Sequence, residues 1–304
     1  MLTKETISEY FIALQNNICT AIEKADGKAK FVTDKWERKG GGGGTSRVIQ
    51  DGNVIEKGGV NFSAVHGTLS ETILSQILGT TNHKLPTTNF YATGVSIVIH
   101  PQSPMVPIIH MNVRYFEISE NEFWFGGGID LTPAYVVPDD AKYFHSSLKK
   151  VCDKFDANYY TEFKKWADDY FFIKHRNETR GVGGIFFDKL KPSAKHSKEN
   201  LFEFVKAVGE TFVPVYTEII SRNKNLAFTE KEKEWQLLRR GRYVEFNLVY
   251  DKGTKFGLET DGRTESILMS LPKNASWFYN FSPQKGSKEE QTLAFLKKEI
   301  NWCA

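Results

Sequence analysis

The chain has 304 residues, of which 40% are hydrophobic, enough for a sizeable core. Its 40 Lys and Arg residues nearly balance 37 Asp and Glu residues, and this net charge of +3 argues against nucleic-acid binding. Three scattered cysteines exclude a disulfide framework and a thiolate zinc site. The polar start and the absence of a long apolar run predict no signal peptide and no transmembrane segment. We therefore expect a cytoplasmic protein.

The first distinctive segment is rich in glycine. Residues 40–47 contain five consecutive glycines followed by Thr45, Ser46 and Arg47. The order does not fit a P-loop, in which the glycines precede GK[ST]. We predict a flexible loop, either a disordered linker or a mobile lid that carries Arg47 over an anionic ligand.

Three strands are predicted in the middle of the chain. Thr93–His100, Val106–Glu117 and Glu122–Asp130 are separated by short turns that contain Pro or Asn. Links this short require antiparallel pairing of consecutive strands. Two further strands are predicted for Gly241–Tyr250 and Thr264–Leu271.

Helices are predicted around these strands. They run from Pro138 to about Phe155, from Asn158 to about Lys174, and from Ser197 to Ser221. Two more begin at the capping-box pairs Thr229/Glu232 and Ser287/Glu290, with Gly241 as the C-terminal cap of the first. No linker divides the chain. We predict a single α+β domain of residues 1–304, in which helices flank both faces of one large antiparallel sheet.

Alternation within the predicted strands indicates a polar face. His110, Asn112 and Arg114 share one face of the second strand, and Ser96 and His100 share one face of the first. On the predicted strand 241–250, the polar face carries Glu245, Asn247 and, if extended, Asp251. A sheet with one solvated face is the ordinary interpretation. However, such residues recur on neighbouring strands of a sheet that helices are expected to cover on both faces. This recurrence favours a pocket with a polar floor.

Three glycines, Gly126 to Gly128, precede Asp130 in the third strand. Glycines weaken a strand, so they indicate a bulge or a ligand floor lined by backbone, unless the segment is a plain loop. Asp130 is a candidate base, or the start of an Asx turn.

Four histidines, His100, His110, His145 and His175, lie in segments that could converge on a metal ion. None belongs to a close ligand pair such as HExxH, so the metal assignment is tentative. A Ser-His-Asp hydrolase is disfavoured because the chain has no GxSxG elbow.

Lys164 to Asp188 combines aromatic residues, a charged cluster and a glycine turn. Aromatic side chains offer a flat apolar wall, and the neighbouring cations His175, Arg176 and Arg180 favour a large planar ligand that carries carboxylates.

These motifs resemble those of the oxygen-dependent coproporphyrinogen III oxidases. The family's signature HRxExRGxGGxFFD is present from His175 to Asp188. Other matching motifs occur in order along nearly the whole chain, namely GGVNFSAVHG from Gly58, GVSIVIHPQSP from Gly94, HMNVRYFE from His110, FWFGGGIDLTPAY from Phe123, and the segment Tyr243 to Pro272.

The resemblance implies oxidative decarboxylation of two propionate side chains of coproporphyrinogen III to vinyl groups, which yields protoporphyrinogen IX for haem biosynthesis. Molecular oxygen is the implied co-substrate, and no organic cofactor is implied. A divalent metal is possible at His100, His110, His145 and His175. The resemblance also implies a homodimer, for which we expect the interface at about residues 241–271.

Roles for individual residues follow from the same resemblance. His110 matches the proton donor, and Asp130 and Asp251 match carboxylates that meet the pyrrole N–H groups. Guanidinium groups suit bidentate binding of propionates. The residues predicted to bind the substrate are Ser96, Asn112, Val113, Arg114, Arg180, Asp261, Gly262 and Arg263.

Two positions depart from the family pattern. Ala167 replaces a cysteine, which excludes a thiol function there, and Lys252 replaces a common arginine, which casts doubt on a bidentate contact. The alternative to an oxidase is a non-catalytic carrier of a tetrapyrrole or another anionic ligand. The presence of His110, Asp130 and Asp251 argues against a carrier, which would not need them.

Overall fold

A computed structural model describes residues 2–69, 88–259 and 262–304. Within these residues seven strands form the main sheet, in the order β1-β2-β3-β4-β5-β6-β9, and every neighbouring pair is antiparallel. Their bounds are β1 Val32–Glu37, β2 Gly42–Gln50, β3 Ile55–Leu69, β4 Thr88–Pro101, β5 Ile108–Ser119, β6 Glu122–Thr132 and β9 Gly183–Leu190. A small hairpin, β7 Phe172–Ile173 and β8 Glu178–Thr179, encloses a 3-10 turn at Lys174–Arg176.

Helices precede, interrupt and follow the sheet in the chain. In the described parts of the chain they are α1 Lys4–Asp26, α2 Pro138–Asp153, α3 Tyr159–Tyr170, α4 Lys198–Asn223, α5 Glu230–Val249, α6 Lys252–Glu259, α7 Thr264–Leu268 and α8 Lys288–Phe295. The capping box at the start of α5 is confirmed, because Thr229 and Glu232 bind each other's backbone N–H groups. At the start of α8, Ser287 accepts a hydrogen bond from the backbone N–H of Glu290.

One face of the sheet is apolar and packs against α1 and α4. It carries the odd-numbered residues of β4, β5 and β6, including Ile97, Met111 and Phe125, all fully buried. Phe125 stacks on Phe202 of α4, and Gln15 of α1 donates to the Val60 carbonyl oxygen of β3 at 2.8 Å. Strand alternation therefore places a continuous hydrophobic layer on this side.

The other face is polar, and α5 and α7 cover part of it. Tyr243 of α5 packs against Val98 and Ile108, and Met269, which follows α7, lies over Gly59. The predicted α+β fold with helices on both faces of an antiparallel sheet is therefore confirmed.

The prediction of a flexible loop at residues 40–47 is wrong. From Gly42 onward the segment forms β2, which pairs with β1 on one side and β3 on the other. Gly42 has a φ of +78°, and side chains at Gly43 or Gly44 would meet the backbone of neighbouring strands. These glycines permit close strand packing, so Arg47 belongs to a strand and not to a lid.

The two strands predicted for Gly241–Tyr250 and Thr264–Leu271 are wrong, because the first segment is helical to Val249 and the second forms the short helix Thr264–Leu268 followed by a turn. Residues 241–249 continue α5, whose buried positions Tyr243, Phe246 and Asn247 follow helical spacing. Gly241 does not cap the helix. A side chain there would lie 2.6 Å from the Ser276 carbonyl oxygen, so the glycine lets the following segment cross the helix closely.

Candidate active site

The centre of the polar face carries three rows of residues that run across the strands. From β4 through β5 to β6 the rows are Val98, His110 and Asp130; Ser96, Asn112 and Gly128; and Gly94, Arg114 and Gly126. The predicted shared face of His110, Asn112 and Arg114 is confirmed. Because glycines stand beside the polar side chains, the backbone of β6 contributes to the floor.

His110 and Asp130 are joined at the inner end of this floor. The Nδ1 atom of His110 lies 2.7 Å from Oδ1 of Asp130, and Oδ2 of Asp130 accepts a hydrogen bond from Nη2 of Arg180 at 2.6 Å. Asp130 is 2% exposed and Arg180 is 3% exposed. One buried carboxylate therefore links an imidazole in the site to a buried guanidinium.

The ion pair between Asp130 and Arg180 determines the charge states at this end of the floor. Burial raises the pKa of Asp130, but the charge of Arg180 and the His110 ring outweigh burial and lower it below its ordinary value. Burial lowers the pKa of Arg180, whereas Asp130 raises it, and the net shift is upward. An ionised Asp130 only accepts hydrogen bonds, so Nδ1 of His110 carries a proton. The atom left for proton transfer is Nε2, 3.4 Å from the Asn112 amide nitrogen.

Arg180 lies inside an aromatic enclosure. Its guanidinium carbon is 4.3 Å, 4.6 Å and 4.7 Å from the ring centroids of Phe171, Tyr243 and Phe246, respectively. Its Nη1 atom donates to the side-chain oxygen of Asn247 at 3.0 Å. Arg180 therefore faces Asp130 and the core, away from the open floor. This placement differs from the predicted direct clamp on a propionate, since burial by three rings keeps the guanidinium from a ligand on that floor.

Arg114 is an accessible cation on the floor. Its Nη1 atom donates to the Asn112 side-chain oxygen at 2.5 Å, and Nη2 lies 3.1 Å from Oδ1 of Asp188 on β9. The ion pair crosses β6 above Gly126, where a Cβ atom would lie 2.7 Å from both Arg114 Nε and Asp188 Oδ1. The register with β9 shifts here, because the two-residue step from Phe125 to Gly127 matches a three-residue step on β9, from Leu190 to Phe187. The extra residue lies in β9, so the bulge predicted at the β6 glycines is not found there.

Asp251 lies between α5 and α6. Its Oδ1 atom accepts from the Tyr170 hydroxyl at 2.7 Å, and Oδ2 accepts from the backbone N–H and hydroxyl of Thr254 at 2.7 Å and 2.8 Å. Burial raises the pKa of Asp251, but these hydrogen bonds and the charge of His110 lower it, and the net shift is downward. Asp251 is therefore an ionised carboxylate near His110.

Several predicted site residues lie elsewhere. Val113 is on the apolar face with its side chain in the main core, so that side chain cannot contact a ligand on the polar floor. Arg263 pairs with Asp34 of β1 and donates to Ser266 Oγ, toward the β1 edge of the sheet. Gly262 bonds to the Gly257 carbonyl oxygen. Asp261 lies outside the described residues. Ser96 is exposed and remains on the floor.

The four histidines occupy separate environments. Nε2 of His100 binds the Ser270 carbonyl oxygen at 2.8 Å, and the ring contacts Tyr243 of α5. His145 binds the Val182 carbonyl oxygen and the Tyr160 hydroxyl, both in the main core.

The other two histidines each bind a carboxylate. His175 binds Glu245 at 2.7 Å and Tyr250 at 2.8 Å, whereas His110 binds Asp130. Among the residues that the structure describes, no group of three or more His, Cys, Asp or Glu side chains is placed to hold a metal ion. The four imidazoles do not fit a single metal centre, because each already binds a different protein partner.

Most aromatic residues of the segment Lys164–Asp188 belong to the core and do not form a ligand wall. Phe171 and Phe186 are buried with Ala167 and Phe246 in one cluster, and Tyr170 packs against that cluster. The helix ends at Tyr170, before the predicted end near Lys174. The segment contributes to the site through the buried Arg180 and through Tyr170.

Sequence reasoning misses two contributors to the site, namely Tyr170 and Asp188. It places Asn247 on the polar face of a strand, whereas the four-residue spacing from Asn247 to Asp251 places both on one side of a helix. Tyr170 and Asp188 carry no motif of their own. Their roles depend on which elements pack together.

None of the helices in the described parts of the chain is long and apolar enough to cross a membrane.

Sequence comparisons identify relatives along almost the entire chain. The sequence model of the family described as coproporphyrinogen III oxidase matches residues 6–302. Coproporphyrinogen-III oxidase 1, chloroplastic, of Arabidopsis thaliana is 50% identical over 95% of this chain and 77% of its own length. The oxygen-dependent coproporphyrinogen-III oxidase of Prochlorococcus marinus (strain NATL2A) is 48% identical over 96% and 88%, respectively.

The oxygen-dependent mitochondrial enzyme of Homo sapiens is 52% identical over 95% of this chain. The chain spans 64% of that relative's length, which is less than two thirds. With a family match from residue 6 to residue 302, this chain belongs to the coproporphyrinogen III oxidase family.

Proposed function

We propose that the chain catalyses the oxygen-dependent decarboxylation of two propionate side chains of coproporphyrinogen III to vinyl groups, which gives protoporphyrinogen IX for haem biosynthesis. Family membership supports this reaction, as do the names of the relatives. The structural observation that carries the proposal is the polar floor. It presents an imidazole held by an ionised carboxylate, an accessible guanidinium and a second ionised carboxylate.

Substrate binding is proposed for the open part of the floor. Arg114 offers a charge-assisted hydrogen bond to a propionate, and Asn112 and Ser96 add neutral hydrogen-bonding groups beside it. Because the Arg114 side chain is 38% exposed, it can reach a ligand without unfolding its neighbours. The backbone near Gly262 and the side chain of Arg263 would bind another propionate only if Arg263 leaves Asp34.

The chemistry needs stabilisation of positive charge and a route for protons. Each propionic acid group loses carbon dioxide, two electrons and two protons. Molecular oxygen accepts these electrons and protons and becomes hydrogen peroxide. Asp251 stabilises positive charge that develops on the pyrrole ring, whereas Asp130, whose two oxygens bind His110 and Arg180, holds the His110 ring in place. His110 exchanges a proton at Nε2, because its Nδ1 atom is occupied by Asp130. No step is assigned to a metal, since the four histidines do not fit one centre.

The test uses coproporphyrinogen III prepared without oxygen and purified protein treated with a chelator. On admission of oxygen we expect protoporphyrinogen and two equivalents of carbon dioxide. Binding without turnover would support the carrier instead of the oxidase. Turnover that requires added metal would contradict the assignment of all steps to protein groups.

A homodimer is proposed as the active assembly. Several large apolar side chains in and after the predicted interface segment 241–271 are exposed, as is typical of an interface. They are Leu248, Val249, Phe256 and Leu258, followed in the chain by Trp277, Phe278 and Tyr279. Val249 is 49% exposed at the end of α5. Val249→Asp should shift the sedimentation coefficient to that of a monomer. Leu226→Asp, at a similarly exposed residue before α5, should not, and equal behaviour of both variants would contradict this interface.

A cytoplasmic location is proposed because Cys19, Cys152 and Cys303 are all free thiols, as expected in a reducing compartment. Two of the relatives are named as chloroplastic and mitochondrial proteins, so the family occupies more than one compartment. Cell fractionation with an antibody to the chain tests the location, and enrichment in an organelle would contradict it.

A further inference from the structure

The start of α6 is held by a tyrosine from another helix. Tyr170, the last residue of α3, donates its hydroxyl proton to Oδ1 of Asp251 at 2.7 Å. The same hydroxyl oxygen accepts a hydrogen bond from the backbone N–H of Lys252 at 3.2 Å. One hydroxyl therefore binds both the carboxylate and the backbone that follows it.

Tyr170 is itself fixed by packing. Its ring stacks on Phe186 of β9, with centroids 4.3 Å apart and an interplanar angle of 10°, and it meets Phe171 and Phe246 edge-on. Phe186 lies opposite Gly128 on the neighbouring strand, beside the polar floor. A side chain locked in this way can hold a reacting group in a narrow range of positions.

Asp251 depends on this support because, among the described residues, the other hydrogen bonds to its side chain come from the start of its own helix. Thr254, three residues later, supplies both donors to Oδ2, as in an N-terminal cap. The titratable and charged groups that face Asp251 from other elements are Tyr170 of α3, His110 of β5, Arg180 before β9 and Tyr243 of α5. Of these, Tyr170 is the group whose hydrogen bond to the carboxylate the structure shows.

We propose that Tyr170 is a positioning residue for the reaction, whose hydroxyl holds the Asp251 carboxylate at the edge of the polar floor. The inference rests on the proposed function in one respect, namely that Asp251 acts on the substrate. Loss of the hydroxyl frees Oδ1, so Asp251 can turn away from the site while Thr254 still holds Oδ2. Without this hydrogen bond, which lowers the pKa of Asp251, the effect of burial is larger and the pKa rises.

The test compares Tyr170→Phe with the wild-type protein by carbon-13 NMR of labelled aspartate carboxyl groups, with Asp251→Asn used to assign the Asp251 signal. The variant keeps the ring that stacks on Phe186. We expect the titration midpoint of Asp251 to rise by about one pH unit, the shift that corresponds to one hydrogen bond. Thr254→Val, which removes the other side-chain donor, should also raise it. An unchanged midpoint in Tyr170→Phe would overturn the proposal.

Activity supplies a second, separate measurement. In Tyr170→Phe the acidic limb of the kcat/KM profile should move to higher pH together with the NMR midpoint, and kcat should fall about tenfold. Tyr216→Phe is the matched control, because this buried hydroxyl binds the Pro107 carbonyl oxygen away from the site. Its Asp251 midpoint and pH profile should match the wild type.

The titration needs no substrate, so the two failures are distinguishable. A wild-type protein without oxidase activity would overturn the proposed function, whereas the NMR midpoint would still decide whether Tyr170 controls Asp251. A shifted midpoint with an unchanged activity profile would overturn the positioning role.

Discussion

His110 and Asp130 lie directly opposite each other on neighbouring antiparallel strands, and a 2.7 Å hydrogen bond joins their side chains. The strand register alone brings them together, because residues in opposite positions have Cβ atoms within about 5.5 Å. The pair therefore has its geometry from the rigid sheet and its charge from Arg180 behind it. A site built on strands in this way is more exact than one built on loops.

Asp130→Asn should lower kcat about a thousandfold while the protein remains folded. The amide keeps the size of the carboxylate but loses its charge, so His110 is no longer held with a proton on Nδ1, and such a change of tautomer is costly in catalysis. The measurement is steady-state oxidase activity with circular dichroism. Asp140→Asn is the control, since Asp140 is also buried but binds Asn223 and Arg222 away from the site. Comparable losses in both variants would contradict a specific role for Asp130.

Arg180→Met should destabilise the protein by about 3 kcal/mol, because it leaves a buried carboxylate without its ion partner. Methionine fills much of the space between the three rings, so the loss of stability reflects the missing positive charge more than the missing side-chain volume. Asp130→Asn in the same background should restore much of this stability, and urea unfolding of the four proteins of this double-mutant cycle gives the coupling energy. Additive losses would show that the two residues do not act as a pair.

Gly126→Ala should raise KM about tenfold with little change in kcat. The new Cβ atom would lie 2.7 Å from the ends of the Arg114 and Asp188 side chains, which are flexible enough to move aside, so the cost is displacement of the floor's accessible cation. Gly128→Ala is the contrasting variant. Its Cβ would lie 2.7 Å from the Ile185 backbone oxygen, so its main effect should be a lower Tm. A normal KM in Gly126→Ala would contradict substrate binding at Arg114.

Acid should destabilise the protein partly through His145. Burial lowers the pKa of His145 from 6.5 to about 3, so the unfolded chain binds a proton that the folded chain does not between these values. The resulting stability is complete above pH 6.5 and is lost as the pH falls toward 3, by up to about 1.4 kcal/mol per pH unit. In His145→Gln the free energy of unfolding should fall less steeply between pH 6.5 and 4. An unchanged slope would contradict a neutral, buried His145.

The fold's central strands were predictable because their chemistry alternates with period two. β4, β5 and β6 each place apolar residues on one face and polar residues on the other, and the links between them are too short for anything but antiparallel pairing. The same alternation identified His110, Asn112 and Arg114 as neighbours. Capping at Thr229 was equally local, since it involves residues three apart.

Other features could not be predicted because they depend on packing between distant segments. Val244, Phe246 and Leu248 alternate as in a strand, but Phe246 is buried against Phe171 while Leu248 is exposed, as helical spacing requires. The sequence alone favours a ligand-binding role for Arg180, because the enclosing rings of Tyr243 and Phe246 come from a helix that is distant in the chain. Asp188 reaches Arg114 because both side chains lie over Gly126 of the strand between them. Tyr170 reaches Asp251 because the end of α3 lies near the start of α6.

The enclosure of Arg180 has a consequence for how the site comes into being during folding. Phe171 follows α3, whereas Tyr243 and Phe246 belong to α5, more than 60 residues later in the chain. Until α5 docks, the guanidinium lacks two of its three rings and Asn247, and the Asp130 carboxylate beside it stays open to water. Dehydration of Asp130 and attachment of α5 are therefore one cooperative event. A chain without α5 in place should have no partly competent site.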